Sequence, residues 1–124
     1  MQVRIARHTD HLDAVVRFYR DGIGLPEVVG FRGHAGYDGV FLALPGTDAH
    51  LELTTGGANA APQPHPETLL VLYLGDEAAV RGVADRLDAE PVASANPYWD
   101  EHGLTFADPD GFRVVLAAEA WPAE

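Results

Sequence analysis

An α+β fold built of two βαβββ modules is what this sequence predicts, and three observations lead there. Residues 103–116, Gly-Leu-Thr-Phe-Ala-Asp-Pro-Asp-Gly-Phe-Arg-Val-Val-Leu, read as strand, tight turn, strand. In Asp108-Pro109-Asp110-Gly111 the proline presets φ at the second turn position and the glycine tolerates the last. Residues 39–53 repeat the pattern: Gly39 and Pro45 stand six apart, as Gly103 and Pro109 do, and a hydrophobic strand follows each turn. The signals that precede each hairpin also come in one order, so the chain reads as a duplicated unit.

Residues 3–8 form the first strand. Thr9 and Asp10 supply N-cap chemistry, and Leu12, Val15, Val16 and Tyr19 recur at helical spacing until Gly22 and Gly24 end the helix. Residues 26–31 form a short second strand, residues 33–39 a glycine-rich turn, and residues 40–44 and 50–54 the last strands of a module spanning residues 1–55. Residues 56–67 have no period and carry Gly, Pro and Asn throughout, which makes them a linker. The order then restarts. Residues 68–74 are a strand, and Asp76 caps a helix whose apolar stripe is Ala79, Val80, Val83, Ala84 and Leu87. Residues 91–94 are a short strand, 96–102 a polar and aromatic loop, and 104–107 and 112–117 the closing strands of a second module, residues 68–118. Residues 119–124 are expected to fray.

At 124 residues the chain is one domain, long enough to bury roughly two-thirds of its unfolded surface without staples. Hydrophobic residues make up 47% and charged residues 22%, as in globular proteins. There is no run of 18 apolar residues to span a bilayer, and Met1-Gln2-Val3-Arg4-Ile5 is strand-like rather than a secretory signal. The expectation is a cytoplasmic protein with no membrane partner. The absence of cysteine excludes disulfides, thiolate nucleophiles and Cys-rich zinc sites. All eight basic residues are Arg, which reflects composition bias rather than chemistry. A formal charge of −11 argues against a nucleic-acid partner and attracts cations. No nucleophilic triad, phosphate-binding glycine loop or dinucleotide fingerprint is present.

Three motifs carry a family resemblance. Residues 12–25, Leu-Asp-Ala-Val-Val-Arg-Phe-Tyr-Arg-Asp-Gly-Ile-Gly-Leu, the Leu51-Glu52-Leu53 strand and Asp108-Pro109-Asp110-Gly111 together resemble the vicinal oxygen chelate superfamily, the glyoxalase/bleomycin-resistance/dioxygenase group, over nearly the full length. Asn96-Pro97-Tyr98-Trp99-Asp100-Glu101-His102-Gly103 is similar to its YycE-like subgroup of small bacterial proteins. The resemblance implies modules whose sheets curl into a cup that holds the site. It also implies a homodimer, because this superfamily completes cups by pairing modules within or between chains. It leaves the reaction open, since the fold hosts lyases, isomerases, ring-cleaving dioxygenases and drug binders.

In metal-using members four ligands point into the cup, and the resemblance places them at Arg4, Glu52, Leu69 and Val115. Of these Glu52 alone is a donor; Arg has no lone pair to offer, and Leu69 and Val115 offer nothing. The expectation is therefore no metal and no cofactor at this position, with the Arg4 guanidinium and the Glu52 carboxylate paired where the ion would sit. Such a pair either stabilises the cup or receives an anionic group of a ligand. Strand alternation sets Arg4, Ala6 and His8 on one face and His50 with Glu52 on one face. His8, His50 and Glu52 thus stand as an alternative, displaced metal site. His11, His34 and His65 fall in cap or loop contexts and read as surface residues.

Tyr98-Trp99-Asp100-Glu101-His102 gathers two amphipathic rings and three titratable groups directly before a cup strand. The rings suit a pocket wall and the carboxylates a cation or acid–base work; alternatively Trp99 plugs the cup and Asp100 caps a turn. Tyr37-Asp38 holds a similar place in the first module. Tyr73 shares a strand face with Leu69 and Val71, which makes that face an apolar floor. The leading expectation is a metal-free protein that binds, and by binding sequesters, a hydrophobic, aromatic or cationic small molecule. Its site residues are Arg4, Glu52, Tyr73, Tyr98, Trp99, Asp100 and His102. The alternatives are a metal-dependent lyase, isomerase or dioxygenase at His8, His50 and Glu52, and a metal-independent enzyme using Asp100, His102 or Glu52.

Overall fold

The computed structural model describes residues 1–121, and the chain divides between Gln63 and Pro64, inside the expected linker, into two compact units. Each unit is a small curled mixed sheet with helix on it, so the fold is α+β. No helix among the described residues is long and apolar enough to cross a membrane.

The first unit holds β1 (Arg4–His8), α1 (Leu12–Val16), β2 (Glu27–His34), β3 (Tyr37–Ala43) and β4 (His50–Gly56). The sheet order is β1-β4-β3-β2, with β1 parallel to β4 and the other pairs antiparallel. A parallel neighbour requires a crossover, and α1 with its π-helical continuation Arg17–Ile23 supplies it. The N-cap of α1 is His11, without a side-chain cap, rather than Thr9 or Asp10; the fully buried Thr9 instead uses its hydroxyl to accept from the His11 amide at 3.0 Å, one turn ahead of the helix. The exit is a left-handed Gly24 (φ 96°), after which the amides of Gly24 and Leu25 both donate to the Tyr19 carbonyl, at 3.1 and 2.9 Å. Val15, Val16 and Tyr19 are buried on the helix, and Leu42, Leu51 and Leu53 on the sheet face that it covers. Leu42 stands opposite Leu51 in the β3/β4 register, and each such side chain contributes about 1.5–3 kcal/mol on burial. Past this core Arg20 forks onto both oxygens of Asp21 (2.9 and 3.3 Å) and reaches Glu27 at 3.0 Å. Those hydrogen bonds hold the Arg20 guanidinium above its ordinary pKa and the Asp21 carboxyl below its own.

The glycine-rich turn expected over residues 33–39 is shorter than that. β2 and β3 pair as far as His34 and Tyr37, which leaves Ala35 and Gly36 as a two-residue hairpin turn. Both have positive φ, 53° and 86°, as the tight turn matching strand twist demands.

The second unit holds β5 (Leu69–Tyr73), α2 (Glu77–Arg86), α3 (Tyr98–His102), β6 (Gly103–Ala107) and β7 (Arg113–Ala117), in sheet order β5-β7-β6. Asp76 caps α2 as its sequence position implies, accepting from the Ala79 amide at 2.8 Å. Val80, Val83 and Leu87 of this segment are buried, as are Phe106, Val114 and Leu116 of the sheet. The β6/β7 hairpin closes on Asp108, 4% exposed, whose Oδ1 accepts from the amides of Asp110 (2.8 Å) and Phe112 (3.1 Å).

Three expectations need correction here. Residues 91–94 are not a strand: Val92 makes a single bridge to Thr105, its amide donating to the Thr105 carbonyl at 2.8 Å. Pro91 has no amide to extend the ladder, and the Ala93 carbonyl instead accepts from Arg113 Nη1 at 2.9 Å. The polar and aromatic stretch 96–102 is not a loop but contains α3. The tail does not fray where it is described. The Glu119 carbonyl accepts from the Gly75 amide at 3.2 Å, and Trp121 lies 6.2 Å from Tyr73 between ring centroids. Residues 122–124 of that tail lie outside the described residues.

Two substitutions test this account. Ala35 is the one non-glycine with positive φ among the described residues, so Ala35→Gly is expected to stabilise the protein by about 0.5–1 kcal/mol. A urea midpoint that stays or falls would show an unstrained turn. Asp108→Ala, which leaves two turn amides without their acceptor, is expected to cost about 2 kcal/mol. Asp108→Asn keeps one acceptor oxygen and should cost less in the same denaturation measurement.

Candidate functional site

With α1 on one face of the first sheet, the opposite face carries chemistry rather than core. Register sets Arg4 opposite His50, Ala6 opposite Glu52 and His8 opposite Thr54. In β3, Phe41 stands opposite Glu52 and Gly39 opposite Thr54, while Phe31 of β2 stands opposite Gly39. All of these share the face turned away from Leu42, Leu51 and Leu53.

Two aromatic residues that sequence reasoning passed over organise this face. The Arg4 guanidinium lies over the Phe41 ring, 4.3 Å from its centroid, and Phe41 meets Phe31 at 5.7 Å. Phe31 can lie there because its partner is a glycine: a Cβ on Gly39 would fall 2.5 Å from the end of the Phe31 ring. The sequence did contain a signal for this pair, namely aromatic residues on β-rich runs that the hairpin folds together, one of them across from Gly39.

The expected ion pair between Arg4 and Glu52 does not form among the described residues. Arg4 pairs in register with His50 and not with Glu52, and its planar cation takes the neighbouring ring instead. Glu52 remains half-buried between Ala6 and Phe41. The displaced set His8, His50 and Glu52 shares the face but does not converge. His8 and His50 lie four register positions apart, about 13 Å along the strands, and His8 Nε2 is 2.9 Å from Asp10 Oδ1. No three of the described His, Asp and Glu side chains gather as a metal site would require.

The superfamily's own metal positions fit a divalent ion no better. Glu52 is their one donor in the first unit, and in the second Leu69 and Val115 are hydrocarbon, with Val115 fully buried on β7. The donor set does not suit the ion.

In the second unit α3 separates the residues that the sequence placed side by side. Trp99 is half-buried, meets Tyr98 edge to face at 5.0 Å, and lines a cavity of about 110 Å³ with Leu69, Ser94 and Asn96. That volume is below the range of pockets for drug-sized ligands. Nor is the sheet face here an open apolar floor. Thr105 is buried with its hydroxyl against Ser94 Oγ at 2.5 Å, and the chain's own residues 92–99 run beside it. Tyr73 keeps company with Trp121 and has no ring contact with Tyr98 or Trp99.

Asp100, Glu101 and His102 line a separate cavity of about 570 Å³, together with Val80 and Ala84 of α2 and Leu104 of β6. Asp100 Oδ1 accepts from the Ser94 amide at 3.0 Å. His102 stacks on Tyr98 with ring centroids 4.0 Å apart, and its Nδ1 is 3.4 Å from Glu119 Oε2. Glu119 was not foreseen as a site residue, because only the fold turns what reads as a tail back onto α3.

Residues 3–54 match the YycE-like N-terminal domain and residues 67–118 the YycE-like C-terminal domain. The YycE protein of Bacillus subtilis strain 168 is 44% identical over 119 residues, which is 93% of this chain and 86% of that one. A crystal structure of a Bacillus subtilis YycE protein superposes with a TM-score of 0.87 at 42% identity, covering 94% of this chain and 88% of that one. Two more distant structures show the fold alone. The fosfomycin resistance protein FosX of Mesorhizobium loti superposes with a TM-score of 0.68 at 13% identity, over 95% and 90% of the two chains. An antibiotic binding protein of Streptomyces sp. CB03234 does so with 0.68 at 19% identity, over 97% and 96%.

Proposed function

The chain belongs to the YycE-like branch of the vicinal oxygen chelate superfamily, and from that premise we propose that it binds a small, largely apolar or aromatic molecule and acts by sequestering it. The observation that carries the reading is the face of the first sheet where Arg4 lies on Phe41, with Phe31 and Glu52 beside it. Two rings supply area for a planar body. The guanidinium, flat on one ring, keeps donor edges for an anionic or carbonyl group, and Glu52 accepts from a hydroxyl or amine. The misfit of the metal positions supports binding over metal-assisted chemistry there.

We also propose a homodimer in solution. Val3 and Ile5 at edge strand β1 and Val28 and Val29 on edge strand β2 are each about half exposed (47%, 48%, 52% and 51%). Apolar side chains on open sheet edges are what a second copy would cover.

The binding reading is tested by a thermal-shift screen of planar antibiotics and aromatic carboxylates, followed by calorimetry on the best ligand. Phe41→Ala is expected to weaken that ligand about tenfold, from lost stacking and lost apolar burial together. Arg4→Gln is expected to weaken a carboxylate more than its amide. Wild-type affinity in Phe41→Ala would remove this face from the site. For the dimer, light scattering at tens of micromolar is expected to give twice the chain mass, and a monomer there would end the proposal.

A further inference from the structure

β2 is an open edge whose own sequence can pair with itself. It ends the sheet order β1-β4-β3-β2, and every residue of Glu27–His34 except Phe31 is exposed. An exposed strand edge carries unpaired amides and carbonyls that template a further strand. We propose that the chain dimerises here, β2 pairing antiparallel with β2 of a second copy about a two-fold axis at Gly30. The proposal rests on the homodimer reading above and gives it one surface and one register.

The register follows from the way each residue of β2 points. Glu27 stands opposite Leu42 and Gly30 opposite Val40, on the face that α1 covers, whereas Val29 opposite Phe41 and Phe31 opposite Gly39 are on the other face. A register shift between Glu27 and Val29 admits Val28 as the extra residue of a bulge. Arg32 returns to the Glu27 face, with Nη1 3.6 Å from Asp38 Oδ2. The strand therefore reads acid, valine pair, glycine, phenylalanine, base, which is self-complementary about Gly30. Residues directly across an antiparallel pair share a face. Pairing about Gly30 sets Glu27 against Arg32 of the second copy, Arg32 against its Glu27, and Phe31 against its Val28 and Val29. Each of these contacts falls on matching faces, and a glycine sits at the axis, where a larger side chain would meet its own copy.

Both charges are available for the contact. The Arg32 side chain is 81% exposed, and Arg20 takes one oxygen of Glu27, Oε1 at 3.0 Å, which leaves Oε2. An axis displaced by one position sets Gly30 opposite Arg32 or opposite Glu27, and both ion pairs are lost. β1, the other edge, carries Arg4, Arg7 and His8 without an acid, so self-pairing there offers no opposite charge. Pairing through β2 also brings the valines of the second copy beside Phe31, at the rim of the aromatic face.

Charge exchange tests the pairing. Arg32→Glu and Glu27→Arg each set like charges against each other twice, and each variant alone is expected to dimerise at least about tenfold more weakly than the wild type by sedimentation equilibrium. Mixed in equal amounts, the two variants regain opposite charges at both positions, and native mass spectrometry is expected to show the mixed dimer in excess over either homodimer. Gly30→Cys gives a direct readout, because the chain has no cysteine of its own and a Cβ at Gly30 meets nothing closer than 3.5 Å. Cβ atoms directly across an antiparallel pair are about 5 Å apart, near enough for a disulfide after a small adjustment. Mild oxidation is therefore expected to link Gly30→Cys dimers much faster than those of Arg81→Cys, a change at an exposed position of α2. A monomeric wild type would end the homodimer reading and this proposal together. A dimer undiminished in Arg32→Glu, a mixture without preference for the mixed dimer, or equal linking of the two cysteine variants would leave the homodimer reading standing and overturn the β2 pairing. Should Glu27→Arg fail to fold beside Arg20, Arg32→Glu and the two cysteine variants still decide it.

Discussion

Each unit depends on one central strand that is paired on both sides, β4 in the first and β7 in the second. β4 has parallel β1 on one side and antiparallel β3 on the other; β7 has parallel β5 and antiparallel β6. The parallel neighbour forces a crossover, and the crossover is a helix that packs on a single face. Leu51 and Leu53 of β4, and Val114 and Leu116 of β7, are buried on the helix face as a result. Each unit has one crossover helix, and it covers one face of its sheet, which leaves the second face to other residues.

The two units resolve that second face differently. In the first it remains available, and Phe31, Phe41 and Arg4 assemble on it because Gly39 leaves room for a ring. In the second, residues of the segment 92–99 lie against it, with Ser94 Oγ on the buried Thr105 hydroxyl and Trp99 beside Leu69. The glycine at the matching place in β6, Gly103, also serves close approach, since a Cβ there would collide with the Leu116 carbonyl. One duplicated topology thereby presents an aromatic and ionic surface in one half and a covered sheet with helix-side cavities in the other.

Charge is distributed with the same asymmetry. In the first unit Arg4 lies on a ring, Arg20 is held by Asp21 and Glu27, and Arg32 stands 3.6 Å from Asp38. In the second, Arg113 donates to the Ala93 carbonyl and Arg81 faces a cavity with five carboxylates. With a net charge of −11, the excess of acid is a local property of particular walls as much as a condition of solubility.

Sequence by itself determined the architecture and much of its punctuation. Helical spacing, breakers and turn chemistry act over a few residues, so the two hairpins, the Asp76 cap and the linker were legible from local physics, and the motifs named the superfamily. Four features were decided only by tertiary structure. Arg4 turns to Phe41 rather than Glu52 because strand register sets the neighbours of a side chain, and a slip of two positions is invisible in the sequence. The 91–94 strand shrinks to a bridge because Pro91 has no donor and Arg113, twenty residues away, takes the Ala93 carbonyl. Trp99 and His102, three residues apart, line different cavities because different parts of the fold pack beside them, Leu69 and Ser94 at Trp99 and Val80 and Leu104 at His102. Glu119 joins His102 because β7 returns the chain to the start of β6, where the Ala118 amide donates to the His102 carbonyl at 2.8 Å. Contacts between residues far apart in the chain depend on the packed arrangement, and no local pattern encodes them.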